Sequence, residues 1–216
     1  MFDVVLPALN EAAALPPLLS AFPDGYRAIV VDNGSTDGTP DVARAHRATV
    51  IAEASPGYGA AVHTGIESAT SEIVVVMDAD GSLDPMALPA LVKIVADGDA
   101  DLVMGRRRPT TAAAWPWHAR WGNRALAFQL NRKLGTTLSD IGPVRVFRRE
   151  SYLALGIEDR RFGYPFETVV RAANAGWRIR EVDVDYFPRA AGTTSKVSGS
   201  ARGTYRAVRD FYRVLP

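Results

Sequence analysis

The fold of this chain is decided by IVVVMDADG at residues 73–81, where an apolar run leads directly into two aspartates. A short run rich in valine is typical of a strand buried on both faces of a sheet. Because alternate side chains of extended backbone point to the same side, Asp78 and Asp80 are expected to face one crevice beyond the strand. The alternative is a turn in which the aspartates cap backbone N–H groups.

Strands and helices are expected to alternate on either side of this stretch. The other predicted strands are Val4–Leu6, Ala28–Val31, Thr49–Ala52, Leu102–Met104, Val144–Arg148 and Arg178–Tyr186. Helices are predicted after Thr39-Pro40, over Ala87–Asp97 behind Asp84-Pro85, and over about His118–Leu134, Pro165–Ala175 and Gly203–Leu215; Thr39 and Asp84 are the expected capping residues. This alternation predicts an α/β, Rossmann-like, mostly parallel sheet with helices on both faces.

Length and composition favour one domain with a proper core. The chain has 216 residues, 47% of them hydrophobic, and no cysteine, which excludes disulfides and thiolate metal sites. It has no apolar run near the ~20 residues that a membrane-spanning helix needs, and its start lacks the pattern of a signal peptide. We therefore expect a cytoplasmic protein, and peripheral contact with the inner face of the plasma membrane stays open.

The net charge of +1 hides two basic segments. Residues 106–133 contain seven Lys/Arg and no Asp/Glu, and residues 189–216 contain six Lys/Arg and one Asp. The rest of the chain is therefore net acidic, which suggests a metal–phosphate site beside a surface that attracts anions. The alternative is ordinary solvated charge. Nucleic acid is not expected as a partner, because the acidic site would repel its phosphates unless metal were bound.

Four loops carry the candidate chemistry. Asp78 and Asp80 are suited to Mg²⁺ or Mn²⁺, which prefer oxygen ligands and leave positions free for phosphate oxygens. VVDNGSTDGT at residues 30–39 could bind a base and ribose, or form plain turns. In LPALNE at residues 6–11, Glu11 could accept a ribose hydroxyl or sit at a helix start. PGYGAAV at residues 56–62 matches neither the nicotinamide-cofactor fingerprint nor the lysine-containing phosphate loop.

These loops, in this order and at strand ends, resemble glycosyltransferase family 2, and the polyprenyl-phosphate (dolichyl-phosphate) mannose or glucose synthases in particular. The resemblance implies the GT-A fold, a nucleotide-diphosphate sugar donor, Mg²⁺ or Mn²⁺, and inversion at the anomeric carbon. It implies that the nucleotide is bound by Pro7, Asn10, Glu11, Asp32, Asp37, Gly57 and Asp78. Asp78 falls on the first aspartate of the family motif and Asp80 on the second, metal-ligating one, and both are predicted metal ligands.

The resemblance continues into the second half of the chain. Gly105-Arg106 is similar to a Gly-Ser-Arg segment, Arg120 and Asn123 to a basic-then-Asn helix, and Ser195-Lys196 to a late Ser-Lys pair that helps to hold the diphosphate. The chain departs from the family at Ser82, where many bacterial members have Gln, and at residues 141–145, IGPVR in place of Ser-Gly-Phe-Arg. The implied layout is one GT-A domain, with a nucleotide-sugar half at 1–105 and an acceptor half at 106–216. The second half would include a mobile loop at 189–203 and a basic amphipathic C-terminal helix.

The acceptor determines which further residues are needed. A lipid phosphate is largely ionised near neutral pH, since its second pKa is about 6, and needs cations to bind it. The candidates are Arg106, Arg107, Arg108, Arg120 and Arg145. A hydroxyl acceptor would need a general base, for which Asp140 is the candidate, unless that residue only caps backbone groups. The predicted catalytic set is Asp80, Asp140, Arg106 and Lys196.

Several alternatives stay open. The same donor chemistry could act on a soluble small molecule or a glycan hydroxyl, and an inactive nucleotide-binding scaffold would use the same loops. A sugar-nucleotide pyrophosphorylase would need a glycine-rich loop after the first strand, which Pro7–Glu11 does not provide. The aromatic patch of Trp115, Trp117 and Trp121 could be core, an acceptor wall or a membrane-interface belt. The C-terminal helix could lie on an anionic membrane or pack on the domain.

Overall fold

Residues 1–190 are described by the computed structural model, and they form a seven-stranded sheet with helices on both faces. The strands are β1 Phe2–Ala8, β2 Tyr26–Asp32, β3 Thr49–Ala52, β4 Ile73–Val76, β5 Leu102–Pro109, β6 Val144–Arg148 and β7 Ile179–Tyr186. The helices are α1 Leu15–Ser20, α2 Thr39–Ala45, α3 Tyr58–Ser68, α4 Leu88–Ala96, α5 Trp117–Leu134, α6 Arg149–Ala154 and α7 Tyr164–Asn174. The strand order is β3-β2-β1-β4-β6-β5-β7, and the predicted α/β class is confirmed.

Strand β4 explains why the sheet is covered on both sides. All four of its residues are buried. Val74 and Val76 belong to the hydrophobic core on one face, with α3 and α7, whereas Ile73 and Val75 belong to the core on the other face, with α1 and α4. A strand at the centre of such a sheet has no solvent face, which is why its sequence is uniformly apolar.

Strand β6 is the exception to the parallel arrangement. It runs antiparallel to both of its neighbours, β4 and β5, while the other neighbouring pairs are parallel. Its amino end therefore lies at the edge where the parallel strands have their carboxyl ends. Residues that lead into β6, from Asp140 to Pro143, are consequently delivered to the same edge as the loop that follows β4.

Most predicted boundaries are close to those observed, with instructive exceptions. Strands Thr49–Ala52 and Val144–Arg148 are as predicted, but β5 continues to Pro109 because it pairs with β7 along its whole length. Helices α1 and α6 were not predicted. Asp84 does cap the turn before α4, since its carboxylate accepts the N–H of Met86 at 2.9 Å.

Thr39 was predicted as a capping residue, and this is wrong. It is the first residue of α2, preceded by Gly38 in a left-handed conformation (φ 83°). Its hydroxyl instead accepts the N–H of Glu11 at 2.9 Å, which ties α2 to the loop after β1. A short side chain just inside a helix can bond sideways to another loop as readily as to its own helix.

Asp3 anchors β1 to its surroundings. The residue is fully buried, and its carboxylate accepts Arg27 Nε at 2.8 Å and the N–H groups of Thr70 and Ser71 at 2.7 and 2.9 Å. Burial raises the pKa of Asp3, but the hydrogen bonds from Arg27, Ser71 and Thr70 together bring that pKa below its ordinary value. The charged form is therefore the one that the fold stabilises.

We expect Asp3→Asn to lower the free energy of unfolding by about 2 kcal/mol at neutral pH, because the substitution removes a buried charge that accepts hydrogen bonds from three residues. The Arg27 side chain is 40% exposed, and solvent screening limits the contribution of its ion pair with Asp3. Since the folded-state pKa is lowered, this contribution is complete above the unfolded value of about 3.9 and is lost as the pH falls towards the folded value. Urea unfolding at several pH values measures it, and the difference from wild type should shrink below about pH 4.

The matched control is Asp41→Asn, since the ion pair of Asp41 with Arg44 is on the surface, with side chains 86% and 60% exposed. Its effect should stay within about 0.5 kcal/mol. A difference for Asp3→Asn that does not change with pH would contradict the assignment of the charged form.

Among residues 1–190, no helix is both long and apolar enough to cross a bilayer. The predicted loop at 189–203 and the predicted helix at Gly203–Leu215, together with Lys196, lie outside the described residues except for Arg189 and Ala190.

Candidate active site

The site lies at one edge of the sheet. The carboxyl ends of β1, β2, β3 and β4 meet there, and the loops that follow them carry most of the predicted nucleotide-binding residues. In an open α/β sheet this crevice is where ligands bind. The amino end of β6 and the carboxyl ends of β5 and β7 complete the other side, because β6 is antiparallel to its neighbours.

The loops after β1 and β2 are bonded to each other. The N–H of Asn10 donates to Ser35 Oγ at 2.9 Å, and Asn10 Oδ1 accepts the N–H of Thr36 at 2.8 Å. Asp37 accepts the N–H of Ala12 at 3.1 Å. The side chains of Asn10 and Asp37 thus shape the crevice, and direct contact of either one with a nucleoside stays a prediction.

Asp37 is held in its charged form by this loop. Its Oδ1 accepts both the N–H and the hydroxyl of Thr39, at 3.1 and 2.5 Å. Burial raises the pKa of Asp37, but these bonds and the one from Ala12 lower that pKa below its usual range. A carboxylate with this many local donors is suited to fixing the loop.

The other residues predicted to bind the nucleotide differ in their burial and in their hydrogen bonds. Asp32 is half-buried at the end of β2, and one of its oxygens accepts the N–H of Ser35 at 3.1 Å. Pro7 lies in β1 beside Val31, and Glu11 is buried, 6% exposed. All three lie at the same edge of the sheet, and their contacts with a ligand stay predictions.

Gly57 is required by the backbone. Its φ is 152°, and a Cβ there would lie 2.1 Å from the carbonyl oxygen of Arg160. Its N–H donates to Asn33 Oδ1 at 2.8 Å, which joins the loop after β3 to the loop after β2. Only glycine combines this conformation with so close an approach.

The two aspartates after β4 have different surroundings. Asp80 is 3% exposed, and its Oδ1 accepts the N–H and the hydroxyl of Ser82 at 2.9 and 2.5 Å. Its Oδ2 forms an ion pair with Arg189 at 3.0 Å. Asp78 is half-buried. Ser82 therefore orients Asp80.

The pKa of Asp78 lies above its ordinary value. Burial raises it first, and the charge of Asp80 raises it further, to about 6, although three arginines oppose the rise. These arginines are Arg189, Arg107 and Arg145. Two carboxylates that repel each other in this way are stabilised by a cation between them.

These residues fit a divalent metal that is also bound by substrate. Carboxylate oxygens are the ligands that Mg²⁺ and Mn²⁺ prefer. Within residues 1–190 no group of three or more His, Cys, Asp and Glu side chains gathers to hold a metal, so the chain would supply Asp78 and Asp80. Mg²⁺ is commonly held by one or two carboxylates and by substrate phosphates, which matches a site completed by a diphosphate.

Arg107 and Asp140 form a buried pair beside the aspartates. Asp140 is 2% exposed, and its carboxylate accepts the N–H and Nε of Arg107 at 2.8 and 2.9 Å and a terminal guanidinium nitrogen at 2.6 Å. The guanidinium lies 3.9 Å from the ring centre of Trp115 and also contacts Asn123 on α5. Both Asp140 oxygens are thus occupied, which favours a positioning role; its role as general base stays a prediction.

The five arginines predicted to bind an acceptor do not form one surface. Arg106 and Arg108 both pair with Asp183 on β7, and the Arg108 bond is 2.7 Å long. Arg120 is exposed on α5. Arg145 is 3% exposed and lies opposite Val76 in the sheet, and among residues 1–190 its Nε has no hydrogen-bond partner. With Arg107, Arg145 faces the aspartate pair from inside.

Three residues of this region were missed from the sequence. Arg189 was counted only as the start of a basic segment, yet it pairs with Asp80. Burial and the nearby Asp78 raise the pKa of Tyr58, the first residue of α3, while Arg145 lowers it. Glu181 on β7 accepts the N–H groups of Ser139 and Asp140 at 2.8–2.9 Å and so fixes the segment before β6. No motif marks any of them, because each acts across strands that are distant in sequence.

The sequence of the chain is similar to those of known glycosyltransferases. The model of a family described as "Glycosyl transferase family 2" matches residues 3–156. The chain is 54% identical to an uncharacterized glycosyltransferase of Mycobacterium tuberculosis, over 98% of this chain and 96% of that protein. It is 33% identical to a dolichyl-phosphate hexose transferase of Haloferax volcanii (88% and 84% covered) and 32% identical to an undecaprenyl-phosphate mannosyltransferase of Micrococcus luteus (92% and 88% covered).

Solved structures confirm the fold. Glucosyl-3-phosphoglycerate synthase of Mycobacterium tuberculosis, crystallised with Mg²⁺ and uridine diphosphate, superposes with a TM-score of 0.78 at 22% identity, covering 100% of this chain and 80% of that one. The same enzyme with Mn²⁺, uridine-diphosphate-glucose and phosphoglyceric acid superposes with a TM-score of 0.76. At this identity the likeness establishes the GT-A fold and leaves substrates undetermined.

Proposed function

The chain belongs to glycosyltransferase family 2, and we propose that it is a metal-dependent inverting enzyme that moves a hexose from a nucleotide-diphosphate sugar, GDP-mannose or UDP-glucose, to a polyprenyl phosphate. The observation that carries the proposal is the aspartate pair at the end of β4, Asp78 and Asp80, with the guanidinium groups of Arg107, Arg145 and Arg189 around it. A bound diphosphate is complementary to that cluster of charge.

The donor half of the site lies in residues 1–105. Asp78 and Asp80 would hold Mg²⁺ or Mn²⁺, which neutralises the charge that develops on the leaving diphosphate. The loops around Asn10, Asp32 and Gly57 form the crevice in which the nucleoside would lie. Relatives crystallised with Mg²⁺ or Mn²⁺ and uridine diphosphate support a divalent metal for the donor chemistry.

The acceptor half would lie in residues 106–216. Arg106 and Arg108 both pair with Asp183 near the carboxyl end of β5, and Arg120 is exposed on the neighbouring helix. An ionised phosphate needs this kind of charge and no deprotonation. The two relatives at 32–33% identity, whose names specify dolichyl and undecaprenyl phosphates, support the same acceptor class.

Positioning and charge stabilisation would do most of the catalytic work. In-line attack needs the acceptor phosphate on the side of the sugar away from the diphosphate. Hydrogen bonds hold Asp80 in place through Ser82, and Arg107 through Asp140. Fixed charges need little reorganisation during the reaction, which is the basis of electrostatic catalysis.

The role of Asp140 separates a phosphate acceptor from a hydroxyl acceptor. With a polyprenyl phosphate, we expect Asp140→Asn to lower kcat by less than about 10-fold, because no proton has to be removed and Asn can keep part of the contact with Arg107. Steady-state release of nucleoside diphosphate as a function of pH measures this. A loss of about 1000-fold, with the acidic limb of the pH profile abolished, would instead identify Asp140 as a general base for a hydroxyl acceptor.

Binding and turnover test the proposal together. Isothermal titration of GDP, UDP, GMP and ADP with and without Mn²⁺ should show metal-dependent binding of one nucleoside diphosphate. Turnover should then require a polyprenyl phosphate dispersed in detergent and should be absent with phosphoglycerate or a glycan. Turnover with phosphoglycerate would show a soluble acceptor, and absence of any nucleotide binding by the folded protein would favour the inactive scaffold.

We place the enzyme on the cytoplasmic side of the membrane, where nucleotide sugars are made, and expect peripheral contact with the lipid surface. Fractionation of cells followed by immunodetection of the chain tests this placement. Recovery only in the fraction of secreted proteins would contradict it.

A further inference from the structure

Helix α5 carries large apolar side chains on its solvent side. Trp117, Trp121 and Phe128 are 73%, 67% and 64% exposed. Isolated exposed apolar residues are common, but three exposed large aromatic side chains on one helix form an apolar surface that calls for an explanation. Trp117 and Trp121 are therefore not part of the core, although core was one of the predictions for them, whereas Trp115 is half-buried and packs against the core.

These side chains form one stripe. At 3.6 residues per turn, positions separated by four, seven and eleven residues share a helix face, so Trp117, Trp121 and Phe128 are aligned. The opposite face is buried against the core through Ala127 and Leu130, which are 1% and 0% exposed. The helix is thus anchored on one side and presents aromatic rings on the other.

Basic residues border the stripe. Arg120, Arg124 and Arg132 are exposed on the same helix, and no acidic residue occurs between Arg106 and Lys133. We call the exposed side chains of Trp117, Arg120, Trp121, Arg124, Phe128 and Arg132 the α5 outer face. A surface that combines aromatic rings with arginines, and has no carboxylate, is suited to the boundary between lipid headgroups and acyl chains.

We propose that the α5 outer face docks on the surface of an anionic lipid bilayer. The rings of Trp121 and Phe128 would enter the headgroup region, where their apolar faces leave water. The guanidinium groups of Arg120, Arg124 and Arg132 would remain beside anionic headgroups. The combination of positive charge and apolar surface favours a bilayer as the partner, since either feature alone would suit many partners.

Other occupants of this face are disfavoured by charge. Residues 191–216 contain five Lys/Arg and one Asp, so a segment of that composition would bring like charges together on α5. A symmetric contact between two copies would also face the basic border of one helix with that of its partner. An anionic bilayer carries the charge opposite to that of the arginines on the α5 outer face.

The α5 outer face is coupled to the site through the same helix. Asn123 accepts the Arg107 guanidinium at 3.3 Å and the N–H of Ile141 at 3.2 Å, so α5 lies directly against the Arg107–Asp140 pair. Docking would bring the acceptor side of the site to the plane of the headgroups. In this respect the inference rests on the proposed lipid-phosphate acceptor, although the docking itself does not require it.

Sedimentation with vesicles tests the inference on the full chain without any substrate. The wild type should bind vesicles of phosphatidylglycerol and phosphatidylcholine at least about 10-fold more tightly than vesicles of phosphatidylcholine alone, and less tightly at high salt. Trp121→Ala/Phe128→Ala should weaken this binding about 10-fold or more, and Arg124→Glu should reduce its dependence on anionic lipid. Met86→Ala, at a methionine 61% exposed outside α5, is the matched control and should change nothing.

Several outcomes would overturn the docking surface. Equal binding of anionic and neutral vesicles, or undiminished binding by the double variant, would remove the α5 outer face from membrane contact. A dimer in solution that dissociates on Trp121→Ala/Phe128→Ala would identify the face as a contact between copies. Urea unfolding of each variant shows whether it is folded under the conditions of the binding assay.

A second assay separates this inference from the proposed function. Nucleoside diphosphate release with a short-chain, detergent-soluble polyprenyl phosphate depends on the site and not on a bilayer. Activity there with no vesicle binding would contradict only the α5 inference. Vesicle binding without activity on any lipid phosphate would contradict only the proposed acceptor.

Discussion

Replacing Asp80 by Asn should lower the rate of nucleoside diphosphate release by about 1000-fold. The substitution keeps the shape of the side chain, and its amide oxygen can still accept the N–H of Ser82, but the charge that would hold the metal is lost. The effect is expected in kcat more than in KM, because the metal acts mainly on charge that develops as the diphosphate leaves.

Two measurements separate this effect from misfolding. Isothermal titration should show that Mn²⁺ no longer enhances nucleotide binding to Asp80→Asn, whereas circular dichroism and urea unfolding should remain close to wild type. Asp84→Asn is the matched control, since Asp84 lies on the same loop but is exposed and caps the next turn. Turnover by Asp80→Asn within a few-fold of wild type would remove Asp80 from the metal site.

The ion pair between Asp80 and Arg189 affects the nucleotide binding expected of Asp80→Asn. In the described fold the guanidinium of Arg189 stands 3.0 Å from Asp80 Oδ2, so the carboxylate is partly neutralised without metal. In Asp80→Asn this arginine loses its charged partner, and the nearby Asp78 becomes the nearest carboxylate for it. Residual nucleotide binding without metal would thus be compatible with a lost metal site.

The centre of the fold could be predicted from local sequence alone. Strand β4 has no polar residue and is followed, after Met77, by Asp78, so its burial and the position of the crevice follow from one stretch. Strands at 49–52 and 144–148 were equally clear, because each is a short run that contains several β-branched or aromatic residues. The membership of glycosyltransferase family 2 was inferred from four such loops in order.

The arrangement of the arginines could not be predicted in this way. Arg106, Arg107 and Arg108 were treated as one basic patch because they begin a run without acidic residues, and β5 was expected to end at Met104. Since β5 continues to Pro109, alternate residues point to opposite sides: Arg106 and Arg108 reach Asp183, while Arg107 reaches Asp140. The extension of β5 depends on pairing with β7, which lies more than 70 residues away in the sequence. No local sequence pattern predicts this pairing.

Contacts between distant segments account for the rest. The Asp80–Arg189 pair, the clamp of Glu181 on the segment before β6, and the reversed direction of β6 all depend on which strands become neighbours. The exposed face of α5 is similar, since the sequence placed aromatic residues on a helix but could not tell which side would be buried. Sequence determined the types of side chain at the site, and topology determined their partners.

The largest effect on folding is expected for Gly142→Ala. A Cβ at this position would lie 1.8 Å from the carbonyl oxygen of Gly105 and 2.8 Å from its carbonyl carbon. Both atoms belong to the backbone of β5, which is held between β6 and β7 and cannot move aside as a flexible side chain could. We expect a loss of at least about 3 kcal/mol in the free energy of unfolding, measured by urea denaturation.

The same substitution at Gly122 should have the opposite sign. Gly122 is exposed within α5, and a Cβ there meets nothing within 4 Å, so Gly122→Ala should stabilise the protein by about 0.5–1 kcal/mol through helix propensity. Any Gly142→Ala protein that folds should also lose activity, because Gly142 connects Asp140 to β6 and its displacement would move Arg107. Equal stability of the two variants would show that β5 and the segment before β6 are not packed as closely as the fold described above requires.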